Sequence, residues 1–233
     1  AAARAACHAA KFQKRTFRVV YSAGELAQPR ESQLATTNGD LKRGLELSYD
    51  NYAAIDRVCK ELDIMWFASC WDEGSVDFMA QFDPPCYKIA SASVTDLPLL
   101  KHHRKQGRPI LLSTGMSTAQ EIDEAVAVLG IRDLIIMHST SAYPCKPEEL
   151  NLRLVTSLAE RYGVPTGYSG HEVGLGTTLA AVALGANAIG GHGRVEQAGG
   201  DRLDEAVGAA DEDMGGHVAQ AGQQALQRGA VEP

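Results

Sequence analysis

Short apolar runs recur through the first 190 or so residues, each divided from the next by a helix-like stretch or a polar connection. They are HAAKFQ (8–13), IMWFAS (64–69), CYKIAS (86–91), PILLST (109–114), LIIMHS (134–139), PTGYSG (165–170) and ANAIGGH (186–192). Each has the length of a buried strand. They do not follow an apolar/polar alternation, as expected for parallel strands covered on both faces. Between them, residues 50–62 carry Ile55, Val58, Cys59 and Leu62 at three- and four-residue spacing behind Asp50, an N-cap residue type. Residues 117–129 open on STAQE, where Ser117/Gln120 and Thr118/Glu121 both have capping-box spacing. Pro147 suits the first position of a helix over 147–162, with Leu150, Leu154 and Leu158 one turn apart. GLGTTLAAVAL (174–184) reads as a small-residue helix closed by Gly185.

A β/α repeat of this kind folds as a doubly wound open sheet or as a (β/α)8 TIM-type barrel. The polar residues decide between them. Lys11, Gln13, Ser69, Lys88, Ser91, Ser113, His138, Ser169, His171 and His192 all fall at or just past the carboxyl ends of the runs. In a barrel those ends meet at one mouth; in an open sheet only the ends beside the switch point do. A barrel is therefore expected over residues 1–192. The long polar stretch 14–49 reads as a functional or mobile connection. Residues 193–233 are rich in Gly and Ala and acidic, with a weak helical stripe at Leu203, Val207, Met214, Val218 and Ala221. They are expected to form a weak helix or a disordered tail.

Charge and cysteine usage narrow the function. The formal net charge of −7 argues against nucleic acid and anionic membranes as general partners. No apolar run approaches the ~20 residues of a membrane helix. AAARAACHAAKFQ lacks the continuous apolar stretch of a secretory signal; it reads as the tail of a helix, as if the chain began inside a fold. The five cysteines form no C-x-x-C pair, which points to reduced thiols and the cytoplasm.

The lysine in CYKIAS raises the chemical question, because a lysine is almost never fully buried without a partner. Lys11 and Lys88 both lie near strand ends, and the mouth would surround them with Ser69, Ser91, Ser113 and Ser169. Ammonium groups and hydroxyls are suited to phosphate or carboxylate oxygens. Snorkelling to solvent and a Schiff-base lysine are the alternatives. His171 and His192 end neighbouring strands about 4.8 Å apart and could share a divalent ion; hydrogen-bonded structural histidines are the other reading, and His138 is taken as structural. STGMST (113–118) has the form of a phosphate-binding turn or of any capped βα loop.

Taken in order, KFQKRT, TTNGDLKRGLE, WFASCWD, YKIASASVTDLPLLK, PILLSTGMST, HSTSAYPCKPEELNLR and GVPTGYSGHEVGLGTTLAAVALGA resemble the sialic acid (N-acetylneuraminate) synthase family from residue 11 to about 192. The resemblance implies a (β/α)8 barrel that condenses phosphoenolpyruvate with an N-acylated amino sugar, giving a nine-carbon 2-keto acid and phosphate. It implies that Lys11, Ser69, Lys88, Ser91, Ser113, Asn151 and Ser169 hold phosphoenolpyruvate and that Gln13 touches the sugar. Lys88 and His171 would be the catalytic pair, with His171 and His192 binding Mn2+ or Mg2+, and the family is commonly homodimeric. The sequence departs from the family pattern in three places. It starts after the family's first strand, it reads Gly190-Gly191-His192-Gly193-Arg194 where Glu-Arg-His or Glu-Lys-His is usual, and nothing past residue 192 resembles the small antifreeze-like domain. A truncated, non-catalytic relative and a Schiff-base aldolase are the competing functions.

Overall fold

The computed structural model describes residues 7–32, 35–142, 144–172, 176–191 and 210–212, with backbone alone for 30–32, 35–36, 191 and 210–212. In chain order the elements are β1 (Ala9–Lys14), α1 (Phe17–Val20), α2 (Ala23–Ala27), β2 (Pro29–Ser32), β3 (Ala35–Thr37), α3 (Asn38–Leu45), α4 (Tyr49–Glu61) and β4 (Met65–Cys70). They continue with α5 (Glu73–Ala80), β5 (Tyr87–Ile89), α6 (Leu97–Lys105), β6 (Ile110–Ser113), α7 (Ala119–Leu129) and β7 (Leu134–His138). The last are α8 (Leu154–Tyr162), β8 (Thr166–Gly170), α9 (Gly176–Ala183), β9 (Ala188–Gly191) and β10 (Ala210–Glu212).

The main sheet has the order β10-β1-β4-β5-β6-β7-β8-β9. Every pair from β1 to β9 is parallel, and β10 lies antiparallel on β1. These seven parallel strands and their helices form a curled sheet of the (β/α)8 barrel type. The curl can be read from one contact. β6 and β7 separate β5 from β8, so three steps of about 4.8 Å divide them along the sheet. Lys88 Nζ on β5 nevertheless reaches Ser169 Oγ on β8 at 3.2 Å, which needs the sheet to bend round the space between them.

Alternation of side chains sorts each strand into two faces. Ala10, Trp66, Ala68, Cys70 and Tyr87 pack outward against Tyr52 and Cys59 of α4, Val76 and Met79 of α5 and Leu99 of α6. Ile89, Ile110, Leu112, Leu134 and Ile136 pack outward against α6, α7 and α8; Tyr168 and Ile189 pack on Val155 and Ala181. The inner face begins with an apolar floor: Ala9, Phe67 and Cys86 with Met65 and Leu111, then Ile135, Met137 and Ala188. All five cysteines are buried free thiols.

Gly167 belongs to this floor. A Cβ there would strike Met137 Sδ and come within 2.5 Å of the Ala188 carbonyl oxygen on β9. The methionine can turn away, but the β9 backbone cannot. Gly167→Ala is expected to cost about 3 kcal/mol, the upper end for overpacking, seen as a thermal midpoint lower by about 6–10 °C.

Several boundaries differ from the sequence reading. α4 is capped by Ser48, which accepts from the Asn51 N–H in a capping box, so Asp50 lies within the first turn. Of the two spacings before α7, Thr118/Glu121 makes the capping box. The helix expected over 147–162 is interrupted. Pro147–Glu149 is a single 3-10 turn, Asn151 has φ +46°, and a left-handed residue cannot propagate an α-helix, so α8 starts only at Leu154. Leu154 is consequently exposed while Leu150 and Leu158 are buried. The 14–49 stretch carries α1, α2, the β2–β3 hairpin and α3, each too short for a periodicity to show. The stripe expected at residues 203–221 lies outside the described residues, apart from the backbone of β10.

Candidate active site

Above the floor the inner face turns polar. Lys11, Gln13, Ser69, Lys88, Ser113, Ser139 and Ser169 all have inward parity on their strands. Parallel register brings Gln13 beside Ser69 and Ser69 beside Lys88. Lys11 and Lys88 are 6% and 9% exposed. Burying an ammonium group is costly unless it is compensated, and Ser169 supplies one acceptor for Lys88. Ser69 Oγ and Ser113 Oγ are buried with no hydrogen-bond partner among the described residues. Buried polar atoms are nearly always satisfied, and hydroxyls and ammonium groups together are donors of the kind that suit anionic oxygens.

A second hydroxyl group surrounds Gly115, just past β6. The Gly115 N–H donates to Ser91 Oγ at 2.9 Å and Ser139 Oγ at 3.1 Å, and the two hydroxyls are 3.1 Å apart. A Cβ on Gly115 would lie 2.5 Å from Ser141 Oγ, 2.9 Å from Ser139 Oγ and 3.0 Å from Ser91 Oγ. Ser139 and Ser141 were not singled out by the sequence reading. The signal was the triplet STS in HSTSAY at the end of β7, indistinguishable by composition from an ordinary serine-rich loop.

The rim is pinned by carboxylates. Asp72, the N-cap of α5, accepts from the Ser75 N–H and hydroxyl and from the Thr16 N–H and hydroxyl at the end of β1. Glu46 pairs with Lys14 at 2.7 Å and with Arg15 at 3.5 Å, and the Tyr52 hydroxyl donates to the Gln13 carbonyl at 2.7 Å. The end of β1, where Lys11 and Gln13 sit, is thus fixed from three sides.

His171 follows β8. Its Nδ1–H donates to the Thr140 carbonyl at 2.7 Å, which leaves Nε2 as the lone-pair nitrogen. Burial holds the ring below the ordinary imidazole range; the Thr140 bond opposes this, and the Lys88 and Lys11 ammonium groups add to the lowering. The neutral ring is thereby favoured over the imidazolium. A neutral imidazole anchored through Nδ1 to a carbonyl is the usual state of a metal-binding histidine, so His171 fits an ion at Nε2. No group of three or more His, Cys, Asp or Glu able to hold an ion occurs among the described residues, and His192 lies outside them. His138 is a buried structural group, its Nε2 2.6 Å from the Leu150 carbonyl. Asn151 sits on the exposed turn, donating to the Glu149 carbonyl at 3.4 Å. It lines a surface hollow with Leu152, Arg153, Leu154 and Ser157, and no described hydrogen bond joins it to the mouth. No helix among the described residues is long and apolar enough to cross a membrane.

An inward-curled parallel β/α sheet with an apolar floor and a mouth lined by lysines and hydroxyls defines a TIM-type β/α barrel. The crystal structure of N-acetylneuraminic acid synthetase from Leptospira borgpetersenii serovar Hardjo-bovis has the same fold, with a TM-score of 0.74 at 23% identity over 98% of this chain and 75% of that one. The chain belongs to the NeuB family, whose profile matches residues 1–230. The N-acetylneuraminate-9-phosphate synthase of Drosophila melanogaster is 36% identical over 197 residues, 82% of this chain and 53% of that protein. The N,N'-diacetyllegionaminic acid synthase of Campylobacter jejuni is 34% identical over 192 residues, 78% and 57% respectively. The chain spans about half the length of the curated relatives it matches.

Proposed function

We propose that this barrel condenses phosphoenolpyruvate with an N-acylated amino sugar to give a nonulosonic acid and inorganic phosphate. The observation that carries the reading is the pair of buried lysines beside the hydroxyls of Ser69 and Ser113, which have no partner among the described residues. Relatives named as sialic acid and legionaminic acid synthases support the same chemistry. Lys11 and Lys88 neutralise the carboxylate and phosphate, and Ser69, Ser113 and Ser169 fix their oxygens. Ser91 keeps the β6 loop in place through Gly115. The enol methylene carbon then bonds to the aldehyde carbon of the sugar, whose oxygen takes a proton and becomes a hydroxyl. Water adds at the phosphate-bearing carbon, and cleavage of its C–O bond to phosphate leaves the 2-keto acid. Most of the acceleration comes from placement and charge stabilisation. Gln13, held at the rim, faces the acceptor. His171 Nε2, with His192 as the second ligand of the sequence pattern, would hold Mn2+ or Mg2+, which supplies a Lewis acid when bound. The five thiols suit the cytoplasm.

The test is calorimetric titration with phosphoenolpyruvate, then phosphate release with N-acetylmannosamine and Mn2+. Saturable binding and acceptor-dependent release are expected. Binding without release would identify a non-catalytic relative, and a folded chain that binds no phosphoenolpyruvate would overturn the site itself.

A further inference from the structure

Met116 is the most exposed large apolar side chain of the described residues, at 72%. It lies in the loop that follows β6, one residue past Gly115, at the carboxyl-end mouth. Its φ is +63°, a left-handed conformation that glycine or asparagine adopts with less strain. A turn required only to reverse the chain has no use for methionine there. The loop is also fixed on both flanks. Gly115 donates to Ser91 and Ser139, Ser117 Oγ donates back to the Gly115 carbonyl at 3.3 Å, and Thr118 and Glu121 cap α7. The backbone is thus held on both sides of an exposed apolar side chain, in the loop at the carboxyl-end mouth that carries Ser113 and Gly115. Other strongly exposed apolar residues, such as Leu62 and Leu179, belong to the outer helical layer.

We propose that Met116 is a specificity-determining residue that receives the methyl end of the acceptor's N-acyl group. This rests on the reading of the site as an amino-sugar condensing centre. Such an acceptor is hydroxylated along its carbon chain, and its N-acyl methyl is the one part that gains by leaving water. An unbranched, polarisable thioether fits acyl groups of slightly different shape. One methyl-sized apolar contact discriminates by about tenfold or somewhat more.

Met116→Gly is the decisive variant, because glycine takes the positive φ freely and removes the side chain without threatening the fold. Kinetics with N-acetylmannosamine and with mannose, and calorimetry with phosphoenolpyruvate, are measured on both proteins. The expected result is a KM for N-acetylmannosamine raised about tenfold, kcat and phosphoenolpyruvate Kd within about twofold, and weaker preference over mannose. Met116→Leu should restore most of the affinity. Where the wild type turns over, an unchanged KM in Met116→Gly would overturn the role of Met116 alone, as would a phosphoenolpyruvate Kd that moves as far as the KM. A wild type that neither turns over nor binds N-acetylmannosamine would overturn the site reading and this inference together.

Discussion

Lys88→Met is expected to weaken phosphoenolpyruvate binding by about a hundredfold while leaving the chain folded. Truncating one side of a buried, hydrogen-bonded charge contact costs about 3 kcal/mol of binding, which is that factor in Kd. The fold is affected in both directions. Ser169 Oγ loses the donor that reaches it at 3.2 Å, a loss of about 1 kcal/mol. Against this, a side chain of similar length with no charge no longer bears the desolvation of an ammonium group only 9% exposed. The thermal midpoint should therefore move by no more than about 4 °C, and a calorimetric titration beside a melting curve separates the two quantities. Lost affinity with an intact melt supports the anion pocket. Unchanged affinity would show that the phosphate and carboxylate are held elsewhere.

Gly115→Ala is expected to be nearly as damaging from a position that carries no charge. A methyl group there cannot stay 2.5 Å from Ser141 Oγ and 2.9 Å from Ser139 Oγ, so the hydroxyls turn or the β6 loop retreats. Either movement breaks the two hydrogen bonds from the Gly115 N–H and shifts Ser113, two residues back. A cost of about 1–3 kcal/mol in stability and at least about tenfold in phosphoenolpyruvate affinity follows. Adding Ser141→Ala removes the closest of the contacts, so the double variant should recover stability relative to Gly115→Ala, a non-additive pair of the kind seen for touching residues. Two melting curves that simply add would show that Ser141 does not border that space.

The barrel was legible because its strands are apolar on both faces and its polar residues stop at one end of each. The position of polar residues at strand ends marked the candidate site, and the structure adds their parity. Lys11, Ser69, Lys88, Ser113 and Ser169 share the inner face because each is an even number of residues from a floor residue of its own strand. What escaped the sequence had a local physical reason. α5 and α6 are eight and nine residues long, too short for a stripe to stand out, and their Asp72 and Asp96 caps look like loop aspartates. Pro147 and the leucines at 150, 154 and 158 mimic a helix face, yet a single left-handed Asn151 divides it. Ser139 and Ser141 became visible only when the fold brought β7 beside Gly115.

The sulfur atoms provide a way to watch this molecule come apart. Cys86 lies in the barrel floor, Cys59 and Cys70 between sheet and helices, and Cys145 in the connection after β7. Burial raises the pKa values of Cys59, Cys70 and Cys145, so little reactive thiolate exists while the layers stay closed. Alkylation followed peptide by peptide would then time each layer's excursions separately, revealing whether the centre loosens before its wrapping or only with it.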